Sequence, residues 1–342
     1  MSLRQMEYLV AVVETASFTR AAESLNVTQS ALSHQIKALE REVGGPLLER
    51  LPRGVGLTPM GRAFLPHAEL AVRSAGQARR AARAAAGAVG GELRVAGVHA
   101  VAVGVLPPVF ARWRRERPEV SLVLHEYATT EELRECMERG VADVALGPRP
   151  KEWRGPVVSL GEEEIMVIVP PDDPLVGRGA VRLAELADRE WVRCELEPVV
   201  HGQAWLDWAC GQEGFIPRTG VRTEHSSTAV RMAAVGAGIV ASPTHVAAGV
   251  DCATVPLDPP WRRELTAFSR VELTGAAAAF VELLRDCVSL PGPELVRSRG
   301  GSGLVRDGGG PQPVGDGRGP ELVRDGGRAW AEQGREGTVP RG

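Results

Sequence analysis

Over residues 28–43 the apolar positions follow a helical period. Leu32, Ile36, Leu39 and Val43 fall on one side at about 100° per residue, and Ser30, Ser33, His34, Lys37 and Arg41 fall on the other. Thr28 suits the N-cap, where its hydroxyl accepts from first-turn N–H groups. Asn26 suits the left-handed conformation that ends a preceding helix. That helix is expected over residues 17–25, SFTRAAESL, with Ser17 as its cap and Ala21 and Ala22 allowing a close crossing. Leu25 and Val27 close the corner. Two short helices joined by so tight a turn make a helix-turn-helix, whose second member lies in a major groove. Ahead of it, Leu3, Met6, Leu9, Val10 and Val13 are expected to form the buried stripe of a supporting helix. Behind it, residues 47–58, LLERLPRGVGLT, read as two short strands around Pro52, Arg53 and Gly54. They form a wing that carries Arg50 and Arg53.

Helical spacing returns over residues 58–87. Thr58 can cap and Pro59 suits the first turn. Phe64, Ala68, Ala71, Ala75, Ala78 and Ala82 share one side, and a kink is expected at Pro66. Gly87, Gly90 and Gly91 then offer an exit. Beyond them strands and helices alternate: strands at 92–98, 120–127 and 141–147, and helices before Pro118 and after Thr129, where Glu132 completes a capping box. That order implies a parallel sheet with right-handed crossovers. Residues 163–171 cross to a second unit. There helices are expected near 182–188, 202–215 and 227–238, and strands near 190–195, 221–226 and 239–243. Residues 261–273 return to a final helix that begins near 276.

Residues 2–62, with AAESLNVTQSALSHQIKALEREVGGPLLER and LTPMG at their centre, resemble the DNA-binding domain of the LysR-type transcriptional regulators. LPPVF, ERPEVSLVLHE, GVADVALG and MAAVGAGIVASP extend the resemblance over roughly residues 91–290. It implies an α/β body with an all-α winged helix-turn-helix head. The body is a two-lobed, periplasmic-binding-protein-like effector domain, joined to the head by a long linker helix that pairs two chains. The expected domains are 1–58 (head), 59–90 (linker and dimerisation helix) and 91–290 (body). Lobe I takes about 91–163 and 262–290, and lobe II about 164–261. Residues 291–342, rich in Gly, Pro and Arg, read as a disordered tail.

Charge sharpens this picture. Residues 1–90 hold 11 Lys and Arg against 7 Asp and Glu, a net of +4, while residues 91–290 hold 21 against 29, a net of −8. A basic head on an acidic body is the electrostatic footprint of a duplex binder. The excess is small, so one head alone should bind weakly, and a dimer supplies the missing contacts. The expected partners are double-stranded DNA carrying an interrupted palindrome, a small-molecule effector, a second copy of the chain in a dimer or tetramer, and RNA polymerase. No apolar run approaches the roughly 18 residues of a membrane helix. Arg4 and Glu7 stand where a secretory signal is apolar, and the five cysteines lack paired spacing. The expected location is the cytoplasm. No cofactor or metal is expected.

Site candidates follow from these roles. On the head, Gln29 is positioned to read an adenine edge with its amide, with Ser30, Ser33 and His34 as further base contacts. Lys37, Arg50 and Arg53 are assigned to phosphates. Many family members carry arginine where His34 stands, a basic residue where Gly56 stands and an aromatic where Leu48 stands, which implies fewer phosphate contacts per head. In the body, ligands of such sheets sit at the carboxyl ends of strands. The candidates there are Val98, His99, Ala100, Tyr127, Thr129 and Arg149, and in the second unit Arg193, Glu195, His201, Glu224, Ser226 and Ser227. Family members often present a Ser or Thr hydroxyl after the first strand. The Val98-His99-Ala100 sequence replaces it here and favours an effector less polar than a small carboxylate, or none.

Two other readings stay open. Cys194 and Cys210 flank the second-unit crevice, and a peroxide-sensing branch of the family uses a cysteine pair in this region, so a thiol redox sensor fits the same scaffold. An enzyme or solute-binding protein is the third reading. The chain has no nucleophile elbow, phosphate loop, HExxH or clustered Cys/His spacing, so no enzymatic activity is expected.

Overall fold

The computed structural model describes residues 1–51, 54–85, 90–194, 199–200, 202–288 and 312–313. The tail expected over residues 291–342 lies outside the described residues apart from Gln312 and Pro313.

Helix α1 (Leu3–Thr15) starts at a reciprocal cap. Ser2 accepts from the Gln5 N–H, and the Gln5 side chain accepts from the Ser2 N–H at 2.8 Å. Ser17 caps α2 (Phe18–Ser24), and Asn26 takes the left-handed conformation with φ 53°. Thr28 caps α3 (Gln29–Val43) by accepting from the Ala31 N–H at 3.2 Å. Leu32, Ile36 and Leu39 of α3 meet Leu9 and Val12 of α1, Ala21 and Ala22 of α2, and Leu47 in one core. Each large aliphatic side chain so buried contributes about 1.5–3 kcal/mol. The stripe expected on α1 is displaced. Leu3 is exposed, and Tyr8, Leu9, Ala11 and Val12 are the buried residues. The cause is that α1 is gripped from two directions, by α2 and α3 and by the linker helix.

The wing is an antiparallel pair, β1 (Leu48–Leu51) and β2 (Gly54–Leu57), with Arg50 opposite Val55 and Glu49 opposite Gly56. Thr58 caps α4 (Pro59–Ala85) by accepting from the Gly61 N–H at 3.0 Å, and the helix passes Pro66 unbroken. Gly61 is required for this packing, because a Cβ there would lie 2.0 Å from the Leu47 carbonyl oxygen. The α4 helix docks on the body. Gln77 Nε2 donates to Ala142 O at 2.9 Å, and Arg80 pairs with Asp143 at 2.8 Å. Ala68 is buried, whereas Ala78 and Ala82 remain exposed in the single chain.

The body begins with β3 (Gly91–Val98), α5 (His99–Gly104), α6 (Leu106–Glu116), β4 (Val120–Tyr127), α7 (Thr130–Glu138) and β5 (Val144–Pro148). β3 lies between β4 and β5, parallel to both. β6 (Val157–Val169) then leads away to a 3-10 turn at Leu183–Leu186, β7 (Glu190–Cys194), β8 (Val199–Val200), β9 (Gln203–Ala204) and α8 (Trp205–Gln212). β10 (Arg218–Thr223), α9 (Ser226–Ala234), β11 (Val240–Pro243) and β12 (Ala253–Val255) follow. β13 (Trp261–Phe268) returns the chain to α10 (Gly275–Cys287).

The central sheet has the order β11-β6-β13-β5-β3-β4, with β12 also on β6. It is mixed rather than wholly parallel. β6 and β13 carry the chain out and back, so they pair antiparallel with each other, and β13 is antiparallel to β5. β7 and β10 form a separate parallel pair. One core gathers Leu93, Leu106, Trp113, Leu160, Leu265, Phe268 and Phe280. Another gathers Ile165, Trp191, Trp205, Ile239 and Trp261, and a third sits under α9 around Ile168, Val192 and Val230. The two long strands change cores between Leu160 and Ile165 and between Trp261 and Leu265. Buried Glu163 lies at that crossing, paired with Arg263 and His245.

Candidate functional site

On the head, the apolar face of α3 is consumed by the core, which turns its polar face outward. Gln29, Ser30, His34 and Lys37 are exposed and Ser33 is half-buried. Ser30 Oγ lies 3.2 Å from Thr28 Oγ1, which orders the hydroxyls at the start of the helix. Glu40 is a residue that periodicity did not single out. Its Oε1 accepts from the N–H groups of Leu47 and Leu48 at 2.9 and 3.2 Å, which fixes the root of the wing to α3. The backbone of Arg50 is in β1, while Arg53 lies outside the described residues. The surface thus offers an amide, hydroxyls, an imidazole and an ammonium on a projecting helix, a combination suited to base edges and phosphates.

In the body, two strand ends from different cores come together. His99 opens α5 directly after β3, and Val98 at its N-cap is buried. His99 Nδ1 lies 3.0 Å from Glu126 Oε2 near the end of β4, and His99 Nε2 lies 3.0 Å from Ser227 Oγ in the first turn of α9. The His99 ring stacks on His225, with centroids 4.3 Å apart. Ser226 is half-buried beside them, and Glu224 is exposed. Ala100 packs on the core beneath α9. α5 is therefore a helix of the first unit seated against the second. Its far end is equally tight: a Cβ on Gly104 would lie 2.3 Å from His245 Nδ1 and 2.6 Å from the His245 carbonyl oxygen.

The remaining candidates are placed apart from this cluster or held by other partners. The Thr129 hydroxyl caps α7, with Glu132 reciprocating. Tyr127 packs on the first core, and burial with a Cys136 hydrogen bond pushes its phenol well above the usual range. Arg149 pairs with Glu264 at 2.6 Å, and buried Arg193 pairs with Asp207 at 2.5 and 3.0 Å. Glu195 and His201 lie outside the described residues. Glu126 had no signal of its own in the sequence. The parallel register sets it opposite Gly97, two residues before His99, and only that register brings the pair together.

Cys194 Sγ donates to the Glu224 carbonyl oxygen at 2.8 Å, immediately before His225, and Cys210 is buried on α8. Burial raises the thiols of Cys136 and Cys252 above the ordinary value. Among the described residues no group of His, Cys, Asp or Glu is arranged to hold a metal ion. No helix among them is long and apolar enough to cross a membrane.

Comparison with known proteins places both parts of the chain. Residues 3–62 match the model of the bacterial regulatory helix-turn-helix protein, lysR family, and residues 86–288 match that of the LysR substrate binding domain. The HTH-type transcriptional regulator ShiR of Corynebacterium glutamicum is 34% identical over 251 residues, 72% of this chain and 83% of that protein. The hydrogen peroxide-inducible genes activator of Dickeya chrysanthemi is 31% identical over 245 residues, covering 71% and 79%. Full-length CbnR in complex with its target DNA superposes with a TM-score of 0.59 at 26% identity, covering 84% of this chain and all of that one.

Proposed function

The chain belongs to the LysR family of transcriptional regulators, and from that premise we propose which of its surfaces read DNA and which take the effector. It is a DNA-binding regulator whose α/β body senses a small molecule, and the family consists of regulators rather than enzymes. α3 enters the major groove of an interrupted palindrome, with Gln29 reading a base edge and Lys37, Arg50 and Arg53 holding phosphates. The observation that carries this is the clean division of α3: Leu32, Ile36 and Leu39 are at most 2% exposed, while Gln29, Ser30, His34 and Lys37 face outward. Its work on chromosomal DNA places it in the cytoplasm, and the small-residue face of α4 pairs two chains into a dimer that further assembles into a tetramer.

The effector site in this reading is the junction of His99, Ser226 and Ser227, where two strand ends from different cores meet. A ligand that enters there contacts His99, Ser226 and Ser227 and alters how the two units face each other. The test is a footprint of the purified full chain on the DNA upstream of its own gene, at low ionic strength. A protected interrupted palindrome is expected. Equal affinity for that DNA and a scrambled competitor refutes the reading.

A thiol-sensing version of the same regulator is favoured by two observations: the 31% identity to a peroxide-inducible activator, and the Cys194–Glu224 bond. Oxidation of Cys194 would release the backbone at the start of α9. Promoter occupancy indifferent to both peroxide and dithiothreitol rejects it.

A further inference from the structure

We propose that Ser227, His99 and Glu126 form a nucleophilic relay that accepts acyl groups from small carboxylic esters and passes them to water. The three residues come from three elements, and no local motif links them. Glu126 is 3.0 Å from His99 Nδ1, and Ser227 Oγ is 3.0 Å from His99 Nε2. A carboxylate only accepts, so Nδ1 carries the proton, and the neutral ring then offers Nε2 as acceptor to the Ser227 hydroxyl. A serine nucleophile needs that order of proton handling, with a base beside the hydroxyl and a carboxylate holding the base in its working tautomer. The stacked His225 ring, inclined by 29°, restrains the His99 plane.

The developing oxyanion also has donors. Ser226 and Ser227 hold the first two positions of α9, whose N–H groups have no acceptor within a helix, while those of Thr228 and Ala229 already donate to the His225 carbonyl oxygen at 3.1 and 3.0 Å. Donors so placed stabilise charge that appears on a carbonyl oxygen next to Ser227 Oγ. The His99 side chain is 22% exposed and that of Glu126 48%, so the base and its carboxylate are open to solvent.

The step balances without any further reagent. Ser227 Oγ bonds to the ester carbonyl carbon as its proton passes to His99 Nε2. The bond to the leaving alkoxide breaks, and that oxygen takes the proton from Nε2. Water, deprotonated by the same nitrogen, then attacks the acyl carbon; the bond to Ser227 Oγ breaks, that oxygen takes the proton back from Nε2, and the carboxylic acid leaves. An ester signal bound here is destroyed by its own receptor, which supplies a built-in reset. The hydrolysis stands on this geometry, while its role as a reset rests on the effector reading proposed above, whose site it shares.

The test uses the full chain, a fluorophosphonate probe with peptide mapping by mass spectrometry, and release of p-nitrophenol from p-nitrophenyl acetate. A single label on Ser227 is expected, absent in Ser227→Ala and unchanged in rate in Thr228→Ala, a neighbouring hydroxyl outside the relay. His99→Phe keeps a ring against His225 but removes the base, and slows labelling by about 100-fold or more. Glu126→Gln carries the same comparison should His99→Phe lose its fold, and each sample is checked for operator binding. Labelling no faster than in denatured protein, a label elsewhere, or equal rates with and without the relay groups overturns the proposal. A chain that binds operator but takes no label fails only here, while one that takes the label but prefers no DNA fails only as a regulator.

Discussion

Breaking the buried pair at the strand crossing should cost the body a large share of its stability. Glu163 is 1% exposed, and its carboxylate receives Arg263 across the β6–β13 register and His245 Nε2 at 2.7 Å. Desolvation alone would raise its pKa, but the Arg263 charge and the His245 hydrogen bond outweigh it and hold the carboxyl down at about 2. Against an ordinary value of 4.5, and at ~1.4 kcal/mol per pH unit, ionised Glu163 stabilises the folded chain by about 3 kcal/mol. The folded value is the lower one, so this contribution is complete above pH 4.5 and is lost as pH falls toward 2. Arg263→Met removes the principal counter-charge, leaves a buried carboxylate with one partner, and should cost about 3–5 kcal/mol at pH 7. Urea unfolding followed by tryptophan fluorescence reads this directly, because Trp261 lies two residues from Arg263. The substitution should also flatten the loss of stability below pH 4.5. A midpoint equal to the parent's at pH 7, or an unchanged acid limb, would show that the crossing tolerates an unpaired charge and would refute the reasoning.

Other consequences are simpler to state. Gln29→Ala should cost about 1–3 kcal/mol at one base pair and relax preference there, read by binding to a panel of single-base operator variants; uniform weakening on all sequences would remove its role as reader. Arg53→Ala should lower the slope of log affinity against log salt by about one without changing the preferred site, and an unchanged slope frees Arg53 from phosphate. Gly104→Ala forces a Cβ to 2.6 Å from the His245 carbonyl oxygen and should destabilise the body by about 1–3 kcal/mol. An unaltered denaturation midpoint would mean that α5 is not clamped against the second unit.

Local chemistry was legible wherever cause and effect lie within one turn of chain. Ser17, Thr28, Thr58 and Thr129 cap the helices they precede, and Asn26 supplies the left-handed corner, because each acts on residues two to four positions away. Strand and helix order was legible for the same reason. What failed depended on partners that periodicity does not see. The α1 stripe rotated because a fourth helix covers its second side. The expected helix near 182–188 shortened to a 3-10 turn. The parallel pairing expected of the first three strands is present, while the antiparallel direction of the two crossing strands had no signal, because it is set by where the chain returns. Arg149 and Arg193 looked available at strand ends, yet Glu264 and Asp207 lie 115 and 14 residues from them in the chain. Glu126 was invisible for a related reason, since on an edge strand it reads as an ordinary solvated carboxylate until the register sets it beside His99.

The same long-range contacts connect His99 with the head. The first unit meets the His99–Ser227 junction at the carboxyl ends of β3 and β4, and it meets α4 at the opposite ends. Asp143, just before β5, accepts from the Arg94 N–H at 3.0 Å, from Gln77 at 3.2 Å and from Arg80 at 2.8 Å. Arg270 adds a bond to Ser74 of the same helix. α4 is thus tied to the sheet that carries His99, and α1 packs along α4 next to α3. A ligand shifts such a system only by the difference in its affinity for two arrangements of the units. In the proposed mechanism the His99–Ser227 junction, where the two units touch, is where that difference arises. In the proposed mechanism, rotation of one unit against the other carries the sheet, α4 and the head with it, and in a dimer changes the spacing between two reading heads.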